Sequence, residues 1–300
     1  MSLSLDCLEQ ETVMNEDEKL VQCASSFMWL LFEEKGELPK RELWAEKLNE
    51  FGYEVHISEE TNNNGAEVFH LPRYTVDLDD AKNVPYGLMA MDFLPVTKAH
   101  GDSAARTQFW QTPNGIELLD SCRWQVLVGD IMSFTFPAKT RAHILYDWLE
   151  IALDLLPTCK GVFFESSQNV MTAQSLRENP YEGAERFFHG AVNARLFTVE
   201  DTPNMLVDTL GLHVLGIPDV QFYFHALNPN AIVNQAYNIG MYQLEYDVPI
   251  RNGETVDGLD EDGSTRQDIQ WKCRYQVSLL EPHRDVLDVE AGEYAAGKKH

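Results

Sequence analysis

The feature of this 300-residue sequence that most restricts its fold is the order of its strand-like and helix-like segments. Trp124 to Phe134 is a nearly continuous apolar run, which is typical of a strand inside a sheet. Pro137 then opens an amphipathic helix pattern that extends to Leu156, and Gly161 to Glu165 is a short buried strand pattern. Helices and hairpins interleave in this way without a strict βαβ repeat. The order predicts an α+β fold of mixed or antiparallel sheets covered by helices.

The N-terminal part of the chain contains related patterns. Phe27 to Phe32 is an apolar run that favours a buried strand, although a helix from Glu16 to Phe32 fits the same residues. A helix pattern begins at Pro39 and ends at Gly52. Two alternating strand patterns follow, Tyr53 to Ile57 and Glu67 to Leu71. Because a β-α-β-β order is also suggested farther along the chain, we expect tandem ferredoxin-like βαββ units.

The least regular stretch of the sequence runs from Asp77 to Pro113 and contains several prolines and a glycine. Such stretches are typical of domain boundaries. We therefore expect an N-terminal α+β unit with an acidic tail over residues 1–85 and a C-terminal α+β domain over residues 86–300.

A motif of glycine and proline turns lies in the C-terminal part, where Asp208 to Gln221 reads DTLGLHVLGIPDVQ. This segment resembles a bacterial family known as domain of unknown function 4261. Other segments similar to that family are FWQTPNG from Phe109, PTCKGVFFE from Pro157, NPNAIVNQAYN from Asn228, and GETVDG from Gly253, with Glu254 where the family has Asp. The resemblance covers roughly residues 88–290. It implies a bacterial cytosolic α+β protein and brings no established activity, catalytic residue or cofactor.

Charge restricts the classes of partner. The chain has 48 acidic and 23 basic residues, a formal net charge of −25. This balance argues against non-specific nucleic-acid binding and against docking on anionic membranes, and it suits a basic protein partner. The longest apolar run is far too short to span a bilayer. The acidic N-terminus lacks a signal-peptide pattern, and the five scattered cysteines contain no CxxC pair, so we expect a cytoplasmic protein.

Candidate catalytic residues are few. No GxSxG elbow, phosphate-binding glycine loop or HExxH pair occurs, and neither a cofactor nor a metal site is predicted. His213 and His225 flank the Gly-Pro turn, where Asp219 completes a group able to perform acid–base chemistry. Asp130 and Glu165 end two strand patterns, and they would face one cleft if those strands were neighbours. Ordinary structural roles, as strand histidines, helix caps or exposed strand ends, are the simpler explanation of these residues.

A stripe of asparagines is the most suggestive polar feature. Asn230, Asn234 and Asn238 are four residues apart and therefore share one face of a predicted helix, in which Asn is a mediocre helix former. The stripe suggests a hydrogen-bonding groove, with packing against loop backbone as the alternative. Asn228, before Pro229, fits a helix N-cap and is included in the candidate binding set.

Two functional hypotheses follow. The first is an acidic binding protein, in its concrete form an immunity or antitoxin-like protein that neutralises a basic partner. The alternative is a small-molecule hydrolase that uses a histidine and a carboxylate. A homo-oligomer is compatible with either hypothesis.

Overall fold

The computed structural model describes residues 2–3, 25–57, 65–77, 81–131, 133, 136–247, 250–260 and 262–297. The chain divides into two compact units. The central unit comprises Cys23–Ala191, and the C-terminal unit comprises Met1–Gln22 with Val192–His300. Helices and mostly antiparallel sheets occur together, so the predicted α+β class is confirmed.

In chain order, the described strands are β1 (Ser2–Leu3), β2 (Phe27–Phe32), β3 (His56–Ile57), β4 (Ala66–Val76), β5 (Val84–Met91), β6 (Leu94–Pro95), β7 (Trp124–Ile131), β8 (Gly161–Phe164), β9 (Asn169–Thr172), β10 (Asn193–Val199), β11 (Met205–Leu210), β12 (Asp219–Phe224), β13 (Thr255–Leu259), β14 (Thr265–Val277) and β15 (Asp285–Glu290). The described α-helices are α1 (Arg41–Glu50), α2 (Gly115–Ser121), α3 (Ala138–Leu155), α4 (Ala173–Arg177), α5 (Glu185–Ala191) and α6 (Pro229–Tyr246).

The central unit contains an antiparallel sheet in the order β3-β4-β5-β7-β2-β8-β9, with β6 paired to β7. The predicted strand at Phe27–Phe32 is confirmed as β2, which lies in the middle of this sheet. The alternative helix is wrong over residues 25–32, and residues 16–24 lie outside the described part of the chain. The expected boundary after residue 85 falls within β5, which pairs with both β4 and β7. Pro85 is accommodated near the start of β5, and Pro95 at the end of the two-residue strand β6.

The C-terminal unit contains a mixed sheet in the order β1-β10-β11-β12-β15-β14-β13. The pairs β1–β10 and β12–β15 are parallel and the others are antiparallel. From β10 onwards, three strands precede α6 and three follow it. This order differs from the β-α-β-β order at the start of the central unit, so the two units do not repeat one βαββ pattern.

Helix α6 provides the main apolar support for the C-terminal sheet. Ile232, Ala236 and Ile239 are buried in a cluster that includes Phe222 and Trp271 from the strands. The helix begins as predicted, with Pro229 in its first turn and the Asn228 side chain accepting a hydrogen bond from the Asn230 backbone N–H at 2.9 Å. Among the described residues, no helix is long and apolar enough to cross a membrane.

Candidate functional site

The turn before β12 places His213 beside Asp219. A short 3-10 turn, His213–Leu215, follows β11, and Gly216 ends it with a φ of +81°, in the left-handed region that favours glycine. The chain then enters β12 at Asp219, whose side chain is fully buried. His213 Nδ1 lies 2.8 Å from Asp219 Oδ2. The structure therefore brings together two of the three residues predicted around the Gly-Pro turn.

Asp219 belongs to a buried ionic network with Arg195, Asp208 and Arg284. Arg284 donates from Nε to Asp219 Oδ2 at 2.8 Å and from Nη2 to Asp208 Oδ2 at 2.7 Å. Arg195 forms a bidentate pair with Asp208 at 2.9 and 2.6 Å. Each of the four residues is at most 9% exposed. Two positive and two negative charges are thus buried together, which satisfies the rule that buried charges are paired.

All four acceptor positions of the Asp219 carboxylate are occupied. Oδ1 accepts from the Leu212 backbone N–H at 3.0 Å and from the Thr209 hydroxyl at 3.2 Å, while Oδ2 faces His213 and Arg284. Burial by itself raises the pKa of this carboxyl, but the charge of Arg284 and the hydrogen bond from His213 more than offset burial and hold the pKa well below its usual range. Such a carboxylate is a poor general base and a good orienting group for His213.

We expect Asp219→Asn to change the acid stability of the protein. A carboxyl whose pKa is lower in the folded than in the unfolded state contributes stability above its unfolded pKa of about 3.9, and this stability is lost as the pH falls towards the folded value. The variant should therefore be less stable near neutral pH, and its urea midpoint should fall less steeply than that of the wild type between about pH 5 and 2.5. If the urea midpoints of the two proteins fell equally steeply over this pH range, the claim that the folded state lowers the pKa of Asp219 would be contradicted.

His225 does not join this group. It follows β12, whereas Asp219 begins it, and a strand of this length separates the two positions by about 20 Å. The His225 backbone N–H donates to Tyr294 O at 2.9 Å. The expectation that His213 and His225 lie near each other is therefore wrong, because the histidines occupy opposite ends of a fully extended strand.

Asp130 and Glu165 do not share a cleft either. Their strands β7 and β8 are not neighbours, because β2 lies between them and pairs with both. The two carboxylates point to opposite faces of the sheet, since Asp130 is in phase with Met28 of β2 and Glu165 with Trp29. Glu165 is exposed and accepts a hydrogen bond from Trp29 Nε1 at 3.0 Å. The idea of a paired acid and base at these positions is wrong.

Asp130 is instead the centre of a buried structural network. Arg141 of α3 donates to its carboxylate from Nε at 2.6 Å and from Nη2 at 2.9 Å, and both side chains are fully buried. Tyr86 Oη–H donates to Asp130 Oδ2 at 2.8 Å, and the Ser26 backbone N–H donates to Oδ1 at 2.7 Å. This arrangement joins α3 to the central sheet.

The asparagine stripe lies on the exposed face of α6. Asn230, Asn234 and Asn238 are all exposed, and of these Asn238 lines a cleft of about 590 Å³. We name it the α6–β13 cleft; it is lined by Gln235, Asn238, Ile239, Tyr242, Ile250, Glu254, Thr255, Val256, Asp257 and Thr265. Asn228 accepts the capping hydrogen bond of the helix, and Asn238 is the member of the predicted set that lines this cleft.

Sequence reasoning missed two kinds of residue. Tyr242 and Tyr246 continue the four-residue spacing of the asparagine stripe, and they are 53% and 63% exposed with ring centroids 4.8 Å apart. The four-residue spacing from Asn230 to Tyr246 is the sequence signal that places these tyrosines on the same helix face. Arg195 and Asp208 are charged residues inside apolar strand patterns, which is a usable signal for a buried ion pair.

The described residues contain no group of three or more His, Cys, Asp or Glu side chains that could hold a metal ion. The three described cysteines, Cys122, Cys159 and Cys273, are buried free thiols. Burial raises the pKa of Cys159 and of Cys273 to about 12. At neutral pH both are therefore protonated and unreactive.

The protein belongs to the α+β class. Its C-terminal unit contains a mixed sheet that is supported by the long helix α6. Residues 208–290 form a DUF4261-like domain, since they match the model of a family described as a domain of unknown function (DUF4261). The matched region lies wholly in the C-terminal unit and contains Asp208, Asp219 and Arg284 as well as the α6–β13 cleft. The chain matches no curated protein and no solved structure.

Proposed function

We propose that this is a cytoplasmic binding protein whose partner is a basic protein, and that it neutralises that partner in the manner of an immunity protein or antitoxin. The observation that carries the proposal is the location of the charge. The described residues include 37 acidic and 20 basic side chains, a surplus of 17 negative charges. The buried charges among them are five aspartates and three arginines, which account for two of these 17. A large surplus outside the core favours a partner of opposite sign.

The chemistry of the candidate residues supports the same conclusion. Asp130 and Asp219 are enclosed in ionic networks, and both are fully buried. Such groups stabilise the fold, and they leave the acidic groups outside the core as the available recognition chemistry. The uncharged Tyr242 and Tyr246 add an aromatic contact surface, and tyrosine is enriched where proteins bind other proteins.

The second candidate is a hydrolase that uses His213. The observation in its favour is the Asp219–His213 contact at 2.8 Å, which resembles the way a carboxylate orients the general base of a catalytic triad. The His213 side chain is 28% exposed. His225, Asp130 and Glu165 give this candidate no further support, because they lie away from His213 or are committed elsewhere.

Affinity purification from the native host at low salt, followed by elution with a salt gradient, tests the proposal. We expect a basic protein in stoichiometric amount, released by moderate salt, because charge attraction between exposed groups is screened within about 10 Å at 0.1 M salt. Recovery of the protein without any stoichiometric basic partner would contradict the proposal.

A further inference from the structure

The α6–β13 cleft lies beside an open sheet edge. Strand β13 is the last in the order of its sheet, so it pairs with β14 on one side and with no described strand on the other. Glu254 O accepts from the Cys273 backbone N–H of β14 at 2.8 Å. Because the backbone groups of successive strand residues point to alternate sides, Thr255 and Asp257 direct theirs away from β14. Gln235 Nε2 of α6 donates to Asp257 O at 2.7 Å, in agreement with this direction.

This hydrogen bond from Gln235 occupies one backbone carbonyl of the β13 edge. It satisfies the carbonyl of Asp257, and Thr255, two residues earlier in β13, lines the cleft together with Asn238 and Tyr242 of α6. Ile239, Ile250 and Val256 provide apolar lining. Exposed edges are templates for another strand, and a groove between an edge strand and a helix is a recurring site for extended peptides.

The charge of the residues around the α6–β13 cleft indicates what kind of segment it binds. Between residues 229 and 262 the sequence has seven acidic residues and one basic residue, Arg251. Glu254 and Asp257 line the cleft itself, while Tyr242 and Tyr246 offer ring faces on which Lys and Arg side chains stack favourably. A second copy of the chain would bring the same negative surface against this one, which disfavours pairing of two β13 edges.

We propose that the α6–β13 cleft binds an extended, Lys/Arg-rich segment of a partner protein as an additional strand beside β13. This inference rests on the proposed function and specifies its binding mode. Backbone hydrogen bonds to Thr255 hold the segment, its alternate side chains contact Ile239 and Val256, and its cationic side chains lie against Tyr242 and the acidic rim. The five residues of β13 correspond to about 17 Å, the length of about five partner residues.

A synthetic peptide tests the inference directly. The probe is a fluorescein-labelled nine-residue peptide that alternates Lys or Arg with Val, and its binding to the full chain is followed by fluorescence polarisation. A second peptide carries N-methyl groups on alternate residues, which removes the donors that strand pairing needs and leaves the charge unchanged. We expect the first peptide to bind and the N-methylated peptide to bind roughly tenfold more weakly or worse.

Variants of the cleft supply the matched comparison. Tyr242→Ala should weaken binding of the first peptide roughly tenfold. Thr255→Pro, which removes an outward N–H from an edge strand, should act in the same direction. Tyr181→Ala, in the central unit, and Asn230→Ala, on the same helix face but outside the cleft, should leave binding unchanged. Circular dichroism and urea midpoints check that each variant is folded.

The outcomes separate this inference from the proposed function. No binding of the first peptide, or binding that N-methylation, Tyr242→Ala and Thr255→Pro all leave unchanged, overturns the cleft assignment. If a basic partner from the native host binds Tyr242→Ala and Thr255→Pro as tightly as the wild type, the partner uses another surface, so the cleft assignment fails and the proposed function stands. If no basic partner is captured by the wild type, the proposed function itself fails.

Discussion

Replacing Arg284 by Met is expected to destabilise the protein by about 3–5 kcal/mol, as is usual when one partner of a buried ion pair is removed. Arg284 is the residue that joins Asp208 to Asp219, and it also donates to Thr209 O at 2.6 Å and to Pro282 O at 3.0 Å. Met retains much of the side-chain volume, so the loss reports mainly the charge and its hydrogen bonds. The measurement is the free energy of unfolding in urea at pH 7.

An exposed ion pair provides the control. Arg266 contacts Asp268 at 2.8 Å on the surface of the same unit, and Arg266→Met should leave the unfolding midpoint essentially unchanged because water already screens this pair. A loss below about 1 kcal/mol for Arg284→Met would mean that the network tolerates an unpaired aspartate, and our account of the buried charges would then be wrong.

Arg141→Met should have an effect of the same size in the central unit, again about 3–5 kcal/mol. Arg141 makes two hydrogen bonds to Asp130, and both side chains are fully buried between α3 and the sheet. Without the guanidinium, the donors left to the Asp130 carboxylate among the described residues are neutral, namely Tyr86 Oη–H and the Ser26 backbone N–H. Those two bonds do not neutralise its charge. Urea unfolding followed by circular dichroism measures the loss.

The sign of the stability change caused by a second substitution, Asp130→Asn, distinguishes a loss of charge pairing from a loss of packing. In the wild type, Asp130→Asn leaves Arg141 without its counter-charge and should be destabilising. In the Arg141→Met background the same change removes an uncompensated buried carboxylate, so it should recover part of the lost stability. If Asp130→Asn were destabilising by equal amounts in both backgrounds, the two residues would not be coupled, and the loss in Arg141→Met would arise from packing alone.

Local features of the structure could be predicted because they depend on residues a few positions apart. The helix that Pro137 opens is α3, and the start of α6 follows from Asn228 and Pro229. Gly211 and Gly216 adopt positive φ values of +127° and +81°, which glycine tolerates without strain. Each of these features reflects the conformational preference of the residue itself or of its immediate neighbours.

Long-range pairings could not be predicted in this way. Whether Asp130 and Glu165 share a cleft depends on which strand lies between β7 and β8, and β2, more than 90 residues earlier in the chain than β7, takes that place. His213 and His225 look close in the sequence, yet β12 is extended and separates them. Periodicity identifies a strand, but it carries no information about the strand's neighbours.

The sequence by itself determined the α+β class, the cap of α6 and the large negative charge, because composition and local pattern are properties of the chain alone. Only the tertiary structure decided that Arg284 meets Asp208, 76 residues away, and that α6 and β13 form a cleft lined in part by Tyr242. These contacts arise from sheet order and from the burial of apolar faces, which act between residues distant in sequence.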